Sequence, residues 1–498
     1  MSPHLFNWQL IMRVQLRDYQ LNVVDAVRNG YASGFRSILV VLPTGGGKTV
    51  VFCNITERTA MRGNRVMMLV HRQELLTQTS EHLERLGVDH GIIAPGHSMT
   101  GDVVQVASVQ TLVKRIDRVP PPSLIIVDEC HHANASSWRA VIDRWPQAFL
   151  LGVTATPCRL DGTGLGRGSG GYFDTMIEGP TVRQLIDDGH LAPPLIYAPP
   201  TDLDLSGVHI KMGDYVQSEV AQRIDKPKIT GSAIEHYMRL CPGAPAIAFC
   251  ASVQHAEHVA AEFNAYGIPA SSIDGKLPDS VRKSRITGLA NGQFKVLTSC
   301  NIISEGTDIP VVTAAILLRP TQSLGLYLQQ VGRCLRTHPQ KTHAIVLDHV
   351  GNCLRHGLPD DVRSWSLNAR KKKSKADDES EVKFRRCANC FAVFGMSVTH
   401  CPQCGTKVCW KPKEREVKQV AGELKLLSGE DIEKMNAARH ARQEQGRAMS
   451  LEALRAIAVK RGYRPEWAER VWDAKRRKIE LKQSRWDAVS HSQMAMAI

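Results

Sequence analysis

Three groups of residues have types and spacings that could do chemistry. The segment Pro43-Thr44-Gly45-Gly46-Gly47-Lys48-Thr49 follows the apolar run SILVVL at 37–42. Its glycines let backbone N–H groups turn toward a phosphate, and a helix starting behind them points its positive end at the same place. Lys48 can then reach the outer phosphates of a nucleotide, and Thr49 can ligate Mg²⁺. The usual form of this motif has glycine at position 42, where this chain has Leu42. Further on, LIIVDECHH ends an apolar run with Asp128 and Glu129. Carboxylates at the C-terminal edge of a parallel sheet sit where α/β proteins bind ligands. Asp128 can hold Mg²⁺ there, and Glu129 can orient and deprotonate an attacking water. The third group is RRCANCFAVFGMSVTHCPQCG, with Cys387 and Cys390, then Cys401 and Cys404. Two Cys-x-x-Cys knuckles supply four thiolates for tetrahedral Zn²⁺, and so short a segment has no other way to build a core. His400 and Cys409 are spare donors. A redox pair is the weaker alternative, since no thioredoxin-like unit surrounds the motif.

These residues need elements to hold them. Apolar runs at 37–42, 66–70, 103–108, 124–128 and 149–154 alternate with helix-length segments, as do runs at 246–251, 295–300, 314–318 and 344–348. Continuously apolar strands separated by helices predict parallel sheets covered on both faces. The expected fold is α/β, with two tandem parallel-sheet domains followed by a small zinc ribbon and a helical tail. Residues 1–15 are an N-terminal extension, 16–185 the nucleotide-binding domain, 186–225 a Pro- and Asp-rich connector and 226–365 the second domain. A charged linker at 366–382, the ribbon at 383–412 and a basic helical tail at 413–498 complete the chain. The glycine-rich stretch 161–171 is expected to be a mobile loop.

Of the +14 formal charge over 498 residues, +12 lies in residues 366–498, which hold 29 Lys and Arg against 17 Asp and Glu. A near-neutral body with a basic appendage points to nucleic acid, the alternative being a tail kept soluble by its charges. No apolar run approaches the roughly 18 residues of a membrane span, and the start lacks a signal-peptide layout. The expectation is therefore no membrane and a cytoplasmic place in a bacterial or phage-infected cell. Eight of the thirteen cysteines are scattered singly and read as reduced, which argues against a disulfide scaffold.

Further blocks surround the first three: LRDYQ at 16–20, VHRQELLTQ at 70–78, SVQTL at 108–112, TATP at 154–157, FCASVQHAEHVA at 249–260, ISEGTDIP at 303–310 and QQVGRCLR at 329–336. With DECH at 128–131 their order resembles the superfamily 2 helicases and translocases of the DExH type. The resemblance implies that the two parallel-sheet domains are RecA-like and that ATP is the nucleotide, and it assigns Arg17 and Gln20 to its base. It places His71 and Arg72 on a nucleic-acid backbone, makes Thr154 and Thr156 couple nucleotide state to strand grip, and puts Gly306 and Asp308 near the nucleotide or the cleft. The last block fits Q-x-x-G-R-x-x-R through Gln329, Gly332, Arg333 and Arg336. Those arginines lie far along the chain from Lys48, yet phosphoryl transfer needs positive charge opposite the phosphate loop. ATP would therefore draw the two domains together. The phrases TATPCRLDG, LRPTQSLGLYLQQVGRCLR and VLDHVGN resemble the bacterial and phage branch that includes the DNA-repair helicase RadD, whose members also carry a cysteine cluster after the motor.

The expected function is thus an ATP-dependent helicase or translocase using ATP, Mg²⁺ and Zn²⁺, with DNA favoured over RNA. A restriction-type motor subunit and an ATP-gated DNA clamp are alternatives, and the ribbon or tail could also dock a protein partner. In the tail, Ser450 is a candidate N-cap and Trp467 and Trp472 read as core of a small helical module rather than as base-stacking platforms. The residues Pro359, Asp360, Glu381 and Lys383 imitate a nuclease spacing, but its second half falls in the charged linker.

Overall fold

The computed structural model describes residues 15–132, 135–159, 162–198, 208–211, 213–225, 227–300, 309–368, 384–387, 389–395, 398–407, 444, 448, 450–464 and 466–473. In its first lobe the strands β1 (Ser37–Val41), β2 (Val66–Val70), β3 (His90–Ile93), β4 (Val104–Ser108), β5 (Leu124–Asp128), β6 (Phe149–Thr154) and β7 (Thr175–Glu178) form one sheet. The order is β3-β4-β2-β5-β6-β1-β7, with every pair parallel. β1 shows why its sequence is apolar throughout. Ile38 and Val40 face the helices Asp18–Ala32, Lys48–Ala60 and Gln73–Arg85, while Leu39 and Val41 face the layer containing Val109, Leu112, Trp138 and Val141.

The second lobe repeats the plan with β8 (Pro194–Tyr197), β11 (Ala246–Phe249), β12 (Ala270–Ile273), β13 (Val296–Ser299), β14 (Ala314–Leu317) and β15 (Ala344–Asp348). Its order is β12-β13-β11-β14-β15-β8, again parallel. The stretch expected as a connector therefore supplies β8, an edge strand of the second sheet. It also forms a short hairpin, β9 (Ile210–Lys211) with β10 (Asp214–Tyr215). The Asp214 carboxylate anchors this hairpin, accepting from Gln322 N at 2.7 Å and Thr321 Oγ1 at 2.9 Å.

After the second lobe the chain returns to the first. Leu367 O accepts from both Leu165 N and Gly166 N at 2.9 Å, and Trp365 packs on the first lobe's core. The glycine-rich stretch is consequently a hydrogen-bonded turn. A Cβ on Gly166 would lie 2.9 Å from Leu367 Cβ, and one on Gly171 would lie 2.1 Å from Leu165 O. Gly166 and Gly171 thus serve close approach, while Gly162 and Gly170 take φ of 76° and 75° in open space.

The ribbon strands β16 (Phe384–Arg386) and β17 (Val393–Gly395) are antiparallel. Cys387, Ala392, Phe394 and Cys401 belong to the same core cluster as Tyr197, Tyr237 and Phe263 of the second lobe, and Ala198 N donates to Phe391 O. The cysteine segment thus packs as an extension of that lobe.

A separate compact unit begins at Lys411. Within it Ser450 Oγ accepts from Ala453 N at 3.1 Å and starts the helix Leu451–Arg461, which ends at Gly462 with φ 65°. Leu454, Ala458 and Ala468 are buried, and Trp467 and Trp472 pack against them, so both tryptophans serve the core of this unit. The basic run 475–478 lies outside the described residues. Among those residues no helix is long and apolar enough to cross a membrane.

Phe394→Ala should lower the unfolding free energy by about 3 kcal/mol in a denaturant titration, because a ring shared with the second lobe's core is removed. A loss below about 1 kcal/mol would mean that the ribbon packs by itself.

Candidate nucleotide site and interlobe cleft

The turn after β1 uses its glycines conformationally. Gly45 and Gly47 have φ of 86° and 77°, a region where a side chain is strained. A Cβ on Gly47 would lie 2.2 Å from Gln20 Nε2, and one on Gly45 2.8 Å from Leu191 Cδ2. Leu42, where the motif usually has glycine, is fully buried in the first lobe's core and fits because residue 179 is glycine; a Cβ there would meet Leu42 Cδ2 at 2.4 Å. The helix Lys48–Ala60 starts from Gly47 with no side-chain cap, which leaves its first N–H groups directed at the cleft.

Asp128 ends β5, and Glu129 follows in the left-handed region at φ 48°. Such a conformation costs about 1 to 3 kcal/mol and turns the second carboxylate away from the strand direction. Glu129 N donates to Asp128 Oδ1 at 2.9 Å. Both residues are buried. Burial and the neighbouring Glu129 charge push the Asp128 carboxyl up to about 7, with Lys48 and His71 acting in the opposite direction. A buried carboxylate pair with Thr49 lining the same cleft offers hard oxygen donors that fit Mg²⁺.

Behind Glu129 lies a polar chain. Thr154 Oγ1 donates to Glu129 Oε2 at 3.4 Å and accepts from Thr156 N at 3.2 Å, while His131 Nδ1 lies 3.5 Å from the same carboxylate. Thr156 reaches the second lobe, because a Cβ on Gly325 would sit 2.8 Å from Thr156 Oγ1.

The far wall comes from the end of the helix Leu324–Gly332. Arg333 and Arg336 line a cleft of about 270 Å³ together with Arg17, Thr44, Gly45, Gly47, Lys48, Thr49, Asp128, Glu129 and His190. Gly332 lies against the phosphate loop, where a Cβ would be 2.5 Å from Thr44 Cβ. Leu191 bridges Arg336, Ala192 N donates to Leu335 O at 2.7 Å, and Glu74 pairs with Arg282 across the lobes at 2.9 Å.

Other expected residues lie elsewhere. Gln20 and Gln329 are buried but do not line the cleft. Gln20 Oε1 accepts from Arg17 N at 3.0 Å, and Gly46 O accepts from Tyr19 OH at 3.1 Å. His71 and Arg72 are half-buried at the end of β2, with Arg72 Nε donating to His71 Nε2. Gly306 and Asp308 lie outside the described residues. His190 lines the cleft although no motif contains it, and Tyr19 and Gly325, which lie inside two of the sequence blocks without an assigned role, pack beside it against Gly46 and Thr156; only Gly189 behind a helix hinted that residue 190 turns inward.

The Sγ atoms of Cys387, Cys390, Cys401 and Cys404 all lie within 4.8 Å of one another, with two pairs at 3.5 Å. Thiolates about 2.3 Å from a tetrahedral Zn²⁺ stand roughly 3.8 Å apart, so the cluster fits that ion. His400 is exposed and outside the cluster, and Cys409 is not among the described residues.

Gly332→Ala should cut ATP turnover at least tenfold while changing the unfolding midpoint little, since the added methyl blocks only the contact with Thr44. Unchanged turnover would show that this contact is dispensable. Cys401→Ser should abolish the zinc measured by plasma emission after chelator-free purification and lower the thermal midpoint.

Comparison with known proteins gives two family matches, "Type III restriction enzyme, res subunit" over residues 13–159 and "Helicase conserved C-terminal domain" over residues 232–338. A 51.5 kDa protein of a Lactococcus phage is 34% identical over 394 residues, covering 79% of this chain and 83% of its own. The putative ATP-dependent helicase IRC3 of Saccharomyces cerevisiae is 30% identical over 355 residues, covering 67% of this chain and 51% of its own. The fragment structure of a putative HsdR subunit of a type I restriction enzyme from Vibrio vulnificus superposes with a TM-score of 0.54 at 22% identity, covering 69% of this chain and 65% of that one, a likeness of fold. Two parallel-sheet lobes closing a phosphate loop against an arginine pair, together with these matches, identify the chain as a member of the superfamily 2 DExH-type helicases, which are ATP-hydrolysing enzymes.

Proposed function

We propose that this helicase acts on DNA, moving along or unwinding it in repair, recombination or phage DNA metabolism. The observation that carries the proposal is the cleft in which Lys48, Asp128 and Glu129 of one lobe face Arg333 and Arg336 of the other. Lys48 and the N–H groups of the phosphate loop bind the outer phosphates. Glu129, held by Thr154, orients the attacking water and takes its proton. Arg333 and Arg336 stabilise the charge on the transferring phosphoryl group, an effect of about 10³ to 10⁵ in rate for such arginines. Mg²⁺ held by Thr49 and Asp128 would neutralise the β- and γ-phosphate oxygens. Binding favours closure and hydrolysis releases it, so two lobes gripping a strand in turn advance along it. The chain from Glu129 through Thr154 and Thr156 to Gly325 supplies a path for that coupling, with His71 and Arg72 facing the strand.

DNA is favoured over RNA by the restriction-enzyme family match over residues 13–159 and the phage relative. The same match favours, as a second reading, the motor subunit of a restriction-type complex whose cleavage belongs to a partner. The nuclease-like spacing supplies no cleavage centre among the described residues: Asp360 is buried in an ion pair with Arg183.

Lys48→Ala and Glu129→Gln should each abolish ATP turnover while leaving DNA binding largely in place; turnover retained in both would refute the assigned roles. ATPase rates measured side by side with single-stranded DNA, forked duplex and RNA should show stimulation by DNA. Stimulation by RNA alone would overturn the substrate, and DNA stimulation without strand displacement or movement would make the protein a clamp. Removing residues 411–498, a cut that spares the ribbon's share of the second lobe's core, should weaken DNA binding and flatten its salt dependence. An unchanged salt slope would assign the tail to a protein partner.

A further inference from the structure

Beyond the arginine segment lies a lysine that no nucleotide motif contains. The helix Leu324–Gly332 gives way to Arg333, and the chain passes through Arg336 into a turn at 338–341 in which Lys341 N donates to His338 O at 2.9 Å. The Lys341 ammonium reaches back from this turn and donates to Arg336 O and to Val312 O, each at 2.7 Å, and to Cys334 O. Three N–H groups thus meet three backbone carbonyls, the full donor capacity of an ammonium. The acceptors come from two segments that border the cleft. Cys334 and Arg336 belong to the arginine segment, while Val312 N closes a turn on Ile309 O around Pro310, which lines the cleft with Arg333 and Arg336. Lys341 itself does not line that cleft.

Taking the action of Arg333 and Arg336 on the phosphates as given, we propose that Lys341 is a positioning residue for the hydrolytic step, tying the backbone that carries both arginines to the cleft-lining segment at 309–312. The arginines lie at and beyond a helix end, where carbonyls lack intrahelical donors. On one side their segment is held within the second lobe by Ala192 N, which donates to Leu335 O at 2.7 Å, and by the bridge between Leu191 and Arg336. On the other it is held by Lys341, whose bonds are charge-assisted and stronger than neutral ones. Cys334 and Val312 are fully buried, which leaves their carbonyls out of reach of bulk water. Losing the ammonium therefore frees the arginine segment on that side. A misplacement of about 1 Å at groups acting on a transition state can cost on the order of 10²-fold in rate. The phosphate loop on the other lobe keeps its ground-state contacts, so the loss falls on kcat rather than on KM.

The test is steady-state ATP hydrolysis by the full chain and its K341M, K341R and R336A variants, with circular dichroism confirming the fold of each. K341M keeps an aliphatic stem and removes every donor; its kcat should fall about ten- to hundredfold while KM for ATP stays within about threefold of the parent. K341R retains the charge and the donors and should keep kcat within about fivefold of the parent. Should K341M not fold, K341Q, which has two donors and no charge, is read by the same criteria. Parental kcat in the neutral variant, a change confined to KM, or a folded K341R no better than the neutral variant would each overturn the proposal while leaving ATP hydrolysis intact. An R336A variant with parental kcat would instead withdraw the role of the arginine pair, and the positioning of it by Lys341 with it.

Discussion

A triphosphate would bring several negative charges into a cleft that already holds the buried carboxylates Asp128 and Glu129. Lys48 alone cannot balance them, and in a site screened from water the imbalance is costly. Arg333 and Arg336 are further positive charges lining the same cleft, and they reach it only because a second sheet closes on the first. Most of the architecture can be understood as the means of bringing that second set of charges within reach and of letting it go again.

The lobes meet through contacts that tolerate no extra atoms. Gly332 against Thr44 and Gly325 against Thr156 are both approaches closer than a Cβ would allow. Side chains at either place would hold the cleft ajar. The Glu74–Arg282 pair is a polar contact between the lobes, the kind of interaction that can form and break without large loss of buried apolar surface, whereas the backbone bridge between Leu191 and Arg336 lies within the second lobe, whose core buries Leu191. Glu129 holds a left-handed backbone conformation at the end of its strand, and its buried carboxylate lines the same cleft as Lys48.

The cysteine segment shows another use of a small core. Its four thiolates can hold a metal, yet Ala392, Phe394 and two of the cysteines also fill the edge of the second lobe beside Tyr197. Two of the four candidate zinc ligands are therefore also part of the second lobe's core, and the ribbon packs against that lobe rather than hanging from it.

Local patterns carried much of this in the amino-acid order alone. Apolar runs such as 66–70, 124–128, 149–154 and 344–348 are central strands because burial on both faces demands continuous hydrophobicity, and the glycines of the phosphate loop, the Asp128–Glu129 pair and the Cys-x-x-Cys knuckles are short-range chemistry. The edge strands β3, β7, β8 and β12 were not legible, since sequences such as HGII, TMIE and ASSI bury only part of their surface and lack that signature. Nor were Gln20's inward turn, the return of Leu367 to the first lobe, or the place of His190, which depend on what another segment brings alongside. Sequence determined which residues can do chemistry, because that follows from side-chain type and near spacing; only the tertiary structure decided which of them meet, because contacts between distant segments are set by how two sheets pack and close.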